Sequence, residues 1–165
     1  QLPAAAASSA ALMTLGPAAQ RAIDYCDDVW RKQNLANWRK RHNQIKEARW
    51  KLAEYEQHES SALSPQDLWA KVGLLLNVQR EEEAIGSLRQ LVARQGAFPD
   101  AHMLLAQLLL KYGDEQGLQH LVKATEQRAE LADTAAQIGY DYLVGRGRKS
   151  EAMRFAQRIA ALFDE

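Results

Sequence analysis

The sequence has little of what disulfide frameworks and β-sheets require. One cysteine, Cys26, occurs in the chain, so no disulfide can form within it and the redox compartment stays open. β-Branched residues are few, and no long run alternates between apolar and polar side chains, which argues against a sheet-dominated fold. Alanine, leucine, glutamine, glutamate, arginine and lysine dominate instead. We therefore predict an all-α fold.

The chain also lacks net charge and a long apolar run. Lysine and arginine number 21, as do aspartate and glutamate, so the whole chain has no electrostatic bias toward nucleic acid or an anionic membrane. Residues 1–20 are interrupted by Pro3, Gly16 and Pro17 and have no basic start, unlike a membrane span or a signal peptide. We expect residues 1–16 to form an alanine-rich segment, extended or as a short helix. Because the chain begins without methionine, we also expect it to be part of a longer protein.

Small residues recur at a fixed interval inside apolar runs. The first set has a strict interval of 33 and consists of Gly73, Ala106 and Gly139. A second set, spaced by 33 and 35, consists of Ala84, Gly117 and Ala152. A period in the low thirties predicts a stack of helical hairpins. Each small residue is expected to let the paired helix of its hairpin approach closely.

Turn and capping residues divide the same region into three units. Ser64-Pro65 has the order of an N-cap followed by a first-turn proline, and Pro99 starts the next unit in the same way. Gly113 and Gly147 lie where the inner turns of two units are expected. We predict helix–turn–helix repeats over residues 64–98, 99–130 and 131–163.

The motif residues of these units resemble the tetratricopeptide repeat family. They are Trp69, Val72, Gly73, Ala84 and Pro99 in the first unit, and Ile138, Gly139, Tyr142 and Ala152 in the third. The second unit departs from the pattern, with Met103 for the early aromatic residue and Gly117 for the alanine. Over residues 64–163 the resemblance implies a short right-handed solenoid that binds a protein or peptide segment in a concave groove. The alternative is an irregular helical bundle with coincidental spacing.

By the same resemblance, the groove would be lined by the first helix of each repeat. The candidate residues are Asp67, Leu74, Asn77, Gln107, Lys111, Asp133 and Tyr140. Lys111 is the only cation among them. The set therefore lacks a basic clamp for a peptide carboxylate.

The front third is predicted to form a helical hairpin over residues 17–59. After Pro17 it contains neither glycine nor proline, and we place the turn near Gln33-Asn34, with one long bent helix as the alternative. The first helix would bury Ala22, Ile23, Cys26, Val29 and Trp30, and the second would bury Leu35, Trp38, His42, Ile45, Leu52 and Tyr55. The second set is close to a heptad seam, which would pack against the first repeat. Ser60-Ser61-Ala62 is the expected hinge.

Positive charge is concentrated in residues 30–51, which hold eight basic residues and one acidic residue. The candidate basic patch consists of Arg31, Lys32, Arg39, Lys40, Arg41 and Lys46. A solvated helix face, or a complement to the chain's own acidic repeats, is the favoured interpretation. Binding to nucleic acid, to an anionic membrane or to an acidic partner are the alternatives.

A second resemblance concerns the front third followed by the repeats. Its segments are Gly16-Pro17, Asp28-Val29-Trp30, Trp38-Arg39-Lys40-Arg41-His42 and Glu47-Ala48-Arg49. This order is similar to the C-terminal extension of bacterial membrane-anchored zinc metallopeptidases of the CAAX-protease-like class. The resemblance implies a bacterial accessory domain that recruits substrates for a catalytic domain upstream. Its compartment would be the cytoplasm or the cell envelope.

The sequence offers no set of residues with the spacing of a catalytic or metal site. Zinc peptidases place two histidines at i and i+4 beside a glutamate, whereas His58-Glu59 lacks the second histidine. The other histidines, His42, His102 and His120, are scattered. We predict a non-enzymatic chain with no metal and no cofactor, whose partner is another protein or the rest of its own longer chain.

Overall fold

The computed structural model describes residues 17–58 and 62–163, and regular secondary structure in these ranges is entirely helical. The all-α prediction is therefore confirmed. The helices are α1 (Pro17–Glu56), α2 (Pro65–Asn77), α3 (Glu81–Arg94), α4 (Pro99–Lys111), α5 (Gln116–Gln127), α6 (Ala132–Gly145) and α7 (Lys149–Ala160), with a 3-10 turn at Ala129–Leu131. The alanine-rich segment 1–16 and most of the expected hinge, Ser60 and Ser61, lie outside the described residues.

The predicted hairpin over residues 17–59 is wrong, because α1 is one continuous helix of 40 residues. No glycine or proline follows Pro17 within it, and Gln33-Asn34, where the turn was expected, have helical backbone like their neighbours. The Gln33 side chain donates a hydrogen bond to Asn37 Oδ1 one turn later, at 3.4 Å. Cys26, which was expected to be buried, is exposed. The apolar residues of the front third therefore have no second helix of the same hairpin to cover them.

The chain divides into two units, and the division falls within α1 between Lys46 and Glu47. In the first unit the described residues are 17–46, a single helix with exposed aromatic side chains. In the second unit the last ten residues of α1 supply Ala48 and Leu52 to a buried core. Leu52 contacts a cluster built by α2, α3 and α4.

Three consecutive helix pairs make up the rest of the second unit. They are α2 with α3, α4 with α5, and α6 with α7, and α3–α4 and α5–α6 contacts join one pair to the next. Each pair turns through a residue in the left-handed region, namely Gln79 (φ 64°), Gly113 (φ 83°) and Gly147 (φ 78°). In each turn the next amide donates to the carbonyl five residues back: Arg80 to Leu75, Asp114 to Leu109 and Arg148 to Leu143, at 2.8–2.9 Å. The three turns share this Schellman geometry.

The structural interval between equivalent positions is 34, one longer than the interval of the small residues. It separates Gln79 from Gly113 and Gly113 from Gly147, and the first helices of the three pairs end at Asn77, Lys111 and Gly145 with the same interval. The interval of 33 taken from the small residues is therefore wrong by one. One residue along a helix is a rotation of about 100°, so a shift of one changes the side of the helix on which a residue lies.

The small-residue series accordingly does not occupy one equivalent position. At the 34-residue interval Gly73 corresponds to Gln107 and Asp141, and all three are exposed. A Cβ atom on Gly73 would meet nothing within 4 Å, so the expected close helix approach is wrong there. At Gly139 it is right, because a Cβ atom would collide with the ring of Phe155 on the paired helix α7.

Helix α4 joins two hydrophobic clusters. It contributes Ala101, Leu105, Leu108 and Leu109 to the first cluster, and Met103, Ala106 and Leu110 to the second. Burying each large side chain of this kind contributes roughly 1.5–3 kcal/mol. The second helix pair, α4 with α5, departs from the repeat motif because α4 is buried on two sides, and aliphatic side chains therefore fill most of its positions.

Candidate functional site

A groove of about 670 Å³ runs between the end of α1 and α2. It is lined by Trp50, Lys51, Glu54, Tyr55, His58, Leu63, Asp67, Ala70 and Leu74. On α2, Asp67, Ala70 and Leu74 follow the i, i+3, i+7 spacing of one helix face. Lys51 and Glu54 lie on the last turns of α1, and His58 lies in the turn that follows it. These two sets of residues form the sides of the groove, and the buried Leu63 lies between them in sequence.

The groove combines apolar surface with unequal charge. Tyr55 and Leu74 are half-buried, and Trp50 is exposed over 66 % of its surface at the groove. Lys51 is bound to Glu47 at 2.8 Å, which lowers the pKa of Glu47 and raises that of Lys51. The Glu54 carboxylate forms no hydrogen bond or ion pair among the described residues. Its charge acts on the neighbouring Lys51 and contributes to the raised pKa of that residue, and the Glu54 side chain is exposed to solvent.

The second carboxylate of the groove is held in place by a helix cap. The Ser64 hydroxyl donates to Asp67 Oδ2 at 2.6 Å and accepts the Asp67 amide at 3.1 Å. This reciprocal pair fixes the start of α2 beside Pro65, as the sequence predicted. Because the cap positions the carboxylate, Asp67 presents negative charge at the groove in a fixed orientation.

Of the seven residues expected to line a binding groove, Asp67 and Leu74 lie in this one. Asn77, Gln107 and Asp133 are exposed elsewhere, and Tyr140 is half-buried beside the second cluster. The set was taken from the first helix of each repeat by resemblance. Leu74, Gln107 and Tyr140 in it are spaced by 33 and so are not equivalent at the 34-residue interval, whereas Asn77 and Lys111 are.

Lys111 is engaged within the chain. Its Nζ lies 2.6 and 2.7 Å from the two carboxylate oxygens of Glu81, and the Tyr112 hydroxyl donates to the same carboxylate at 2.8 Å. The hydrogen bond from Lys111 holds the pKa of Glu81 below its usual value, and Glu81 raises the pKa of Lys111. The contact joins the start of α3 to the end of α4. The cation expected in the groove is thus part of a link between helix pairs.

The six residues of the candidate basic patch are distributed around α1. Lys32, Arg39 and Lys46 are spaced by seven and share one side, whereas Arg31, Lys40 and Arg41 lie on other sides of the helix at about 100° per residue. Lys32 also pairs with Asp28 at 2.6 Å. A continuous phosphate-tracking stripe would need most of these charges on one side. The helix does not arrange them in that way.

A polar contact inside the second helix pair involves two histidines. His102 Nδ1 lies 2.9 Å from His120 Nδ1, and His102 Nε2 lies 3.3 Å from the Gly96 carbonyl oxygen. Burial lowers the pKa of His102. Burial, and then the positive charges of His102, Lys123 and Arg89, lower the pKa of His120 to about 4. One Nδ1 must donate and the other accept, so the contact requires at least one neutral ring.

Sequence reasoning missed most of the groove. Trp50 lies between the heptad positions that were assigned to a buried seam, and Tyr55 was placed on the seam itself. The one available signal was the mismatch of Trp50 with that seam. A large aromatic residue off a heptad pattern and close to a helix end is a candidate for an exposed site.

Comparison with protein-family models and with curated proteins gave no match for the chain. Within residues 17–58 and 62–163, no helix is both long enough and apolar enough to cross a membrane. The same residues contain no cluster of three or more histidine, cysteine, aspartate or glutamate side chains that could hold a metal ion.

Proposed function

We propose that the chain is a non-catalytic scaffold of the tetratricopeptide type, which binds a segment of another protein in the groove between α1 and α2. The observation that carries the proposal is the groove itself, in which aromatic and aliphatic side chains lie beside the carboxylates of Glu54 and Asp67. Helix ends and turns recur at the 34-residue interval, which supports the family because the tetratricopeptide unit has the same length.

The chemistry of the groove defines the class of segment. Trp50, Tyr55 and Leu74 offer an apolar surface suited to a large aliphatic or aromatic side chain. Glu54 and Asp67 favour a neighbouring lysine or arginine, while the groove's own Lys51 is occupied by Glu47. The expected partner segment therefore carries a large apolar residue next to a basic one.

The test uses the full chain and two sets of synthetic 12-residue peptides. One set has a central Leu-Lys or Phe-Arg pair, and the other replaces the basic residue by glutamate. We expect the first set to bind more tightly, measured by fluorescence polarisation or calorimetry. The Glu54→Lys variant should abolish the preference for the basic peptides, because it replaces one of the two carboxylates of the groove by a cation.

The apolar contribution is tested by Trp50→Ala, which should weaken binding of the first peptide set at least about 10-fold, or about 1.4 kcal/mol. The matched control is Tyr25→Ala, since Tyr25 is also an exposed aromatic residue of α1 but lies outside the groove. Equal affinity of Trp50→Ala and the unchanged chain, or equal binding of both peptide sets to the unchanged chain, would contradict the proposal.

A further inference from the structure

The front half of α1 exposes large apolar side chains, with Tyr25 on one side and Trp30 and Trp38 on the opposite side. Trp30 and Trp38 are exposed over 69 % and 61 % of their surfaces. They are spaced by eight residues in a helix that is continuous from Pro17 to Glu56. Two tryptophans exposed to water on one side of a helix are unusual, because large exposed apolar surfaces commonly mark interaction sites. Something of complementary shape and charge is therefore expected to cover them.

The residues on this side are arranged symmetrically about Asn34. Trp30 and Trp38 lie four residues from it, Asp27 and Arg41 lie seven, and Ile23 and Ile45 lie eleven. At 100° per residue, all of them fall within about 40° of Asn34 around the helix. We call these seven residues the α1 stripe; it extends over about 33 Å at 1.5 Å per residue.

The symmetry has a physical meaning because each apolar residue is matched by an apolar one and the acid is matched by a base. When two copies of the segment lie antiparallel with Asn34 opposite Asn34, isoleucine lies level with isoleucine and tryptophan level with tryptophan. Asp27 of one copy lies level with Arg41 of the other, twice per pair. Neither Asp27 nor Arg41 forms an ion pair within residues 17–58 and 62–163 of one chain.

A parallel arrangement in register also places isoleucine level with isoleucine and tryptophan level with tryptophan, but it loses the match between Asp27 and Arg41. Within the α1 stripe, Asp27 before Asn34 is the acid and Arg41 after it is the base. Parallel copies in register would place Asp27 beside Asp27 and Arg41 beside Arg41. The charges of the α1 stripe therefore favour the antiparallel orientation.

We propose that the α1 stripe is a homodimer interface, in which a second copy of the chain packs antiparallel across a two-fold axis at Asn34. The 11-residue spacing of Ile23, Asn34 and Ile45 is close to three whole turns, so two nearly straight helices can keep the stripe in contact along its length. An isologous contact of this kind is self-complementary by construction. The opposed Asn34 amides hydrogen-bond to each other and set the register.

The first test is the mass of the full chain by sedimentation velocity from about 1 to 100 μM, a range that spans typical weak and tight dimers. We expect a dimer. Asp27→Arg and Arg41→Asp should each raise the dissociation constant at least about 10-fold, because each places like charges at the same level twice. The combined variant Asp27→Arg/Arg41→Asp should restore the dimer, since it exchanges the charges and keeps their match.

The matched control is Arg39→Asp, which makes the same change of charge as Arg41→Asp but lies on another side of the helix. It should leave the dissociation constant unchanged. An equal loss with Arg39→Asp would show a general charge effect and would overturn the proposal. Circular dichroism of each variant separates loss of the dimer from loss of the helix.

The second test is oxidative cross-linking, which reports orientation. Antiparallel copies centred on Asn34 place the two Cys26 residues about 24 Å apart along the axis, so the unchanged chain should not cross-link. The variant Cys26→Ser/Asn34→Cys should cross-link readily across the two-fold axis. Cross-linking through Cys26 would indicate parallel copies, and a monomer at every concentration would indicate a different cover for the stripe. Either result would overturn the proposal.

The dimer and the peptide groove are separable. Trp50→Ala should weaken peptide binding and leave the dimer intact, because Trp50 lies outside the α1 stripe. Asp27→Arg should do the opposite. If one variant abolished both properties, the interface and the groove would not be the independent sites described here.

Discussion

The front half of α1 and the three helix pairs both carry large apolar side chains, but only the helix pairs bury them within one chain. In the helix pairs, leucines such as Leu68, Leu88 and Leu105 have no exposed surface, because each helix packs against the next along the chain. In residues 17–46, Tyr25, Val29, Trp30, Leu35 and Trp38 lie on one helix and remain exposed, while Ile23 and Ile45 are half-buried. The apolar side chains of the pairs are covered within one chain, whereas those of the front segment are left uncovered, as they would be on one side of a protein interface.

Apolar content alone therefore does not distinguish a core from an interface. Sequential contacts bury the leucines of the pairs, and the recurrence of turns at Gln79, Gly113 and Gly147 places each helix beside its neighbour. The front segment has no such turn. Its pattern is symmetric about one residue, which is what an isologous contact between two copies requires.

The largest expected difference comes from the same substitution in both regions. Leu105→Ala removes a fully buried side chain from the first cluster and should lower the free energy of unfolding by about 2–5 kcal/mol. Leu35→Ala changes a side chain that is 47 % exposed and lies outside the α1 stripe, so its effect should stay within about 0.5 kcal/mol. Urea unfolding of both variants measures the difference, and comparable losses would remove the contrast between the regions.

A second contrast lies within the helix pairs. Gly139→Ala would force a Cβ atom into the ring of Phe155 and should cost about 1–3 kcal/mol of unfolding free energy. Gly73→Ala meets open space in a helix and should add roughly 0.5–1 kcal/mol. Thermal or urea unfolding of the two variants shows whether each substitution raises or lowers the free energy of unfolding. Destabilisation by both would restore the interpretation that the two glycines are equivalent.

The histidine pair predicts a pH dependence that belongs to the helix pairs. The folded chain holds the pKa values of His102 and His120 below 6.5, so the unfolded chain binds more protons in acid. The contribution of the two neutral histidines to the free energy of unfolding is therefore fully present above about pH 6.5. It is lost as the pH drops toward about 4, by at most about 1.4 kcal/mol per pH unit for each histidine.

The measurement is the urea midpoint between pH 7 and pH 5, where few carboxylates titrate. His120→Gln should flatten the dependence, since it removes the more strongly shifted ring. The exposed His58 serves as the matched control, and His58→Gln should keep the dependence of the unchanged chain. A pH profile that His120→Gln leaves unaltered would contradict the assignment.

The smallest predicted effect concerns the three turns. Gln79 adopts φ 64° where the other two turns have glycine, so Gln79→Gly should raise the unfolding free energy by up to about 1 kcal/mol. Gly147→Ala has free space around it but the same backbone, and it should lower stability by about 1–2 kcal/mol. A loss of stability in Gln79→Gly would mean that the glutamine side chain compensates for the strain of its backbone.

Local signals in the sequence located the helix pairs well. Ser64, Pro65 and Pro99 act through their own backbone chemistry, so their effect can be read without knowing what packs nearby. Gly113 and Gly147 likewise stand at left-handed turn positions. The turn at Gln79, the first of the three along the chain, was not recognisable from its residue type, because glutamine seldom adopts a positive φ.

Signals that depend on packing were less informative. The small-residue interval differed from the backbone interval by one residue, because Gly73 is small without being in close contact and Gly139 is small because Phe155 requires it. The front hairpin was predicted from one set of apolar residues before Gln33-Asn34 and a second set after it. A turn within one chain and an antiparallel contact between two chains both bring two such sets together, so the same pattern is compatible with either.

Amide hydrogen exchange of the full chain at two concentrations, about 1 and 100 μM, tests the contrast between the regions most directly, since amide protection reports the free energy of local opening. We predict that protection of residues 65–160 is the same at both concentrations, while residues 17–46 are protected at the higher concentration and exchange rapidly at the lower one. Strong protection of residues 17–46 that does not change with concentration would contradict this contrast.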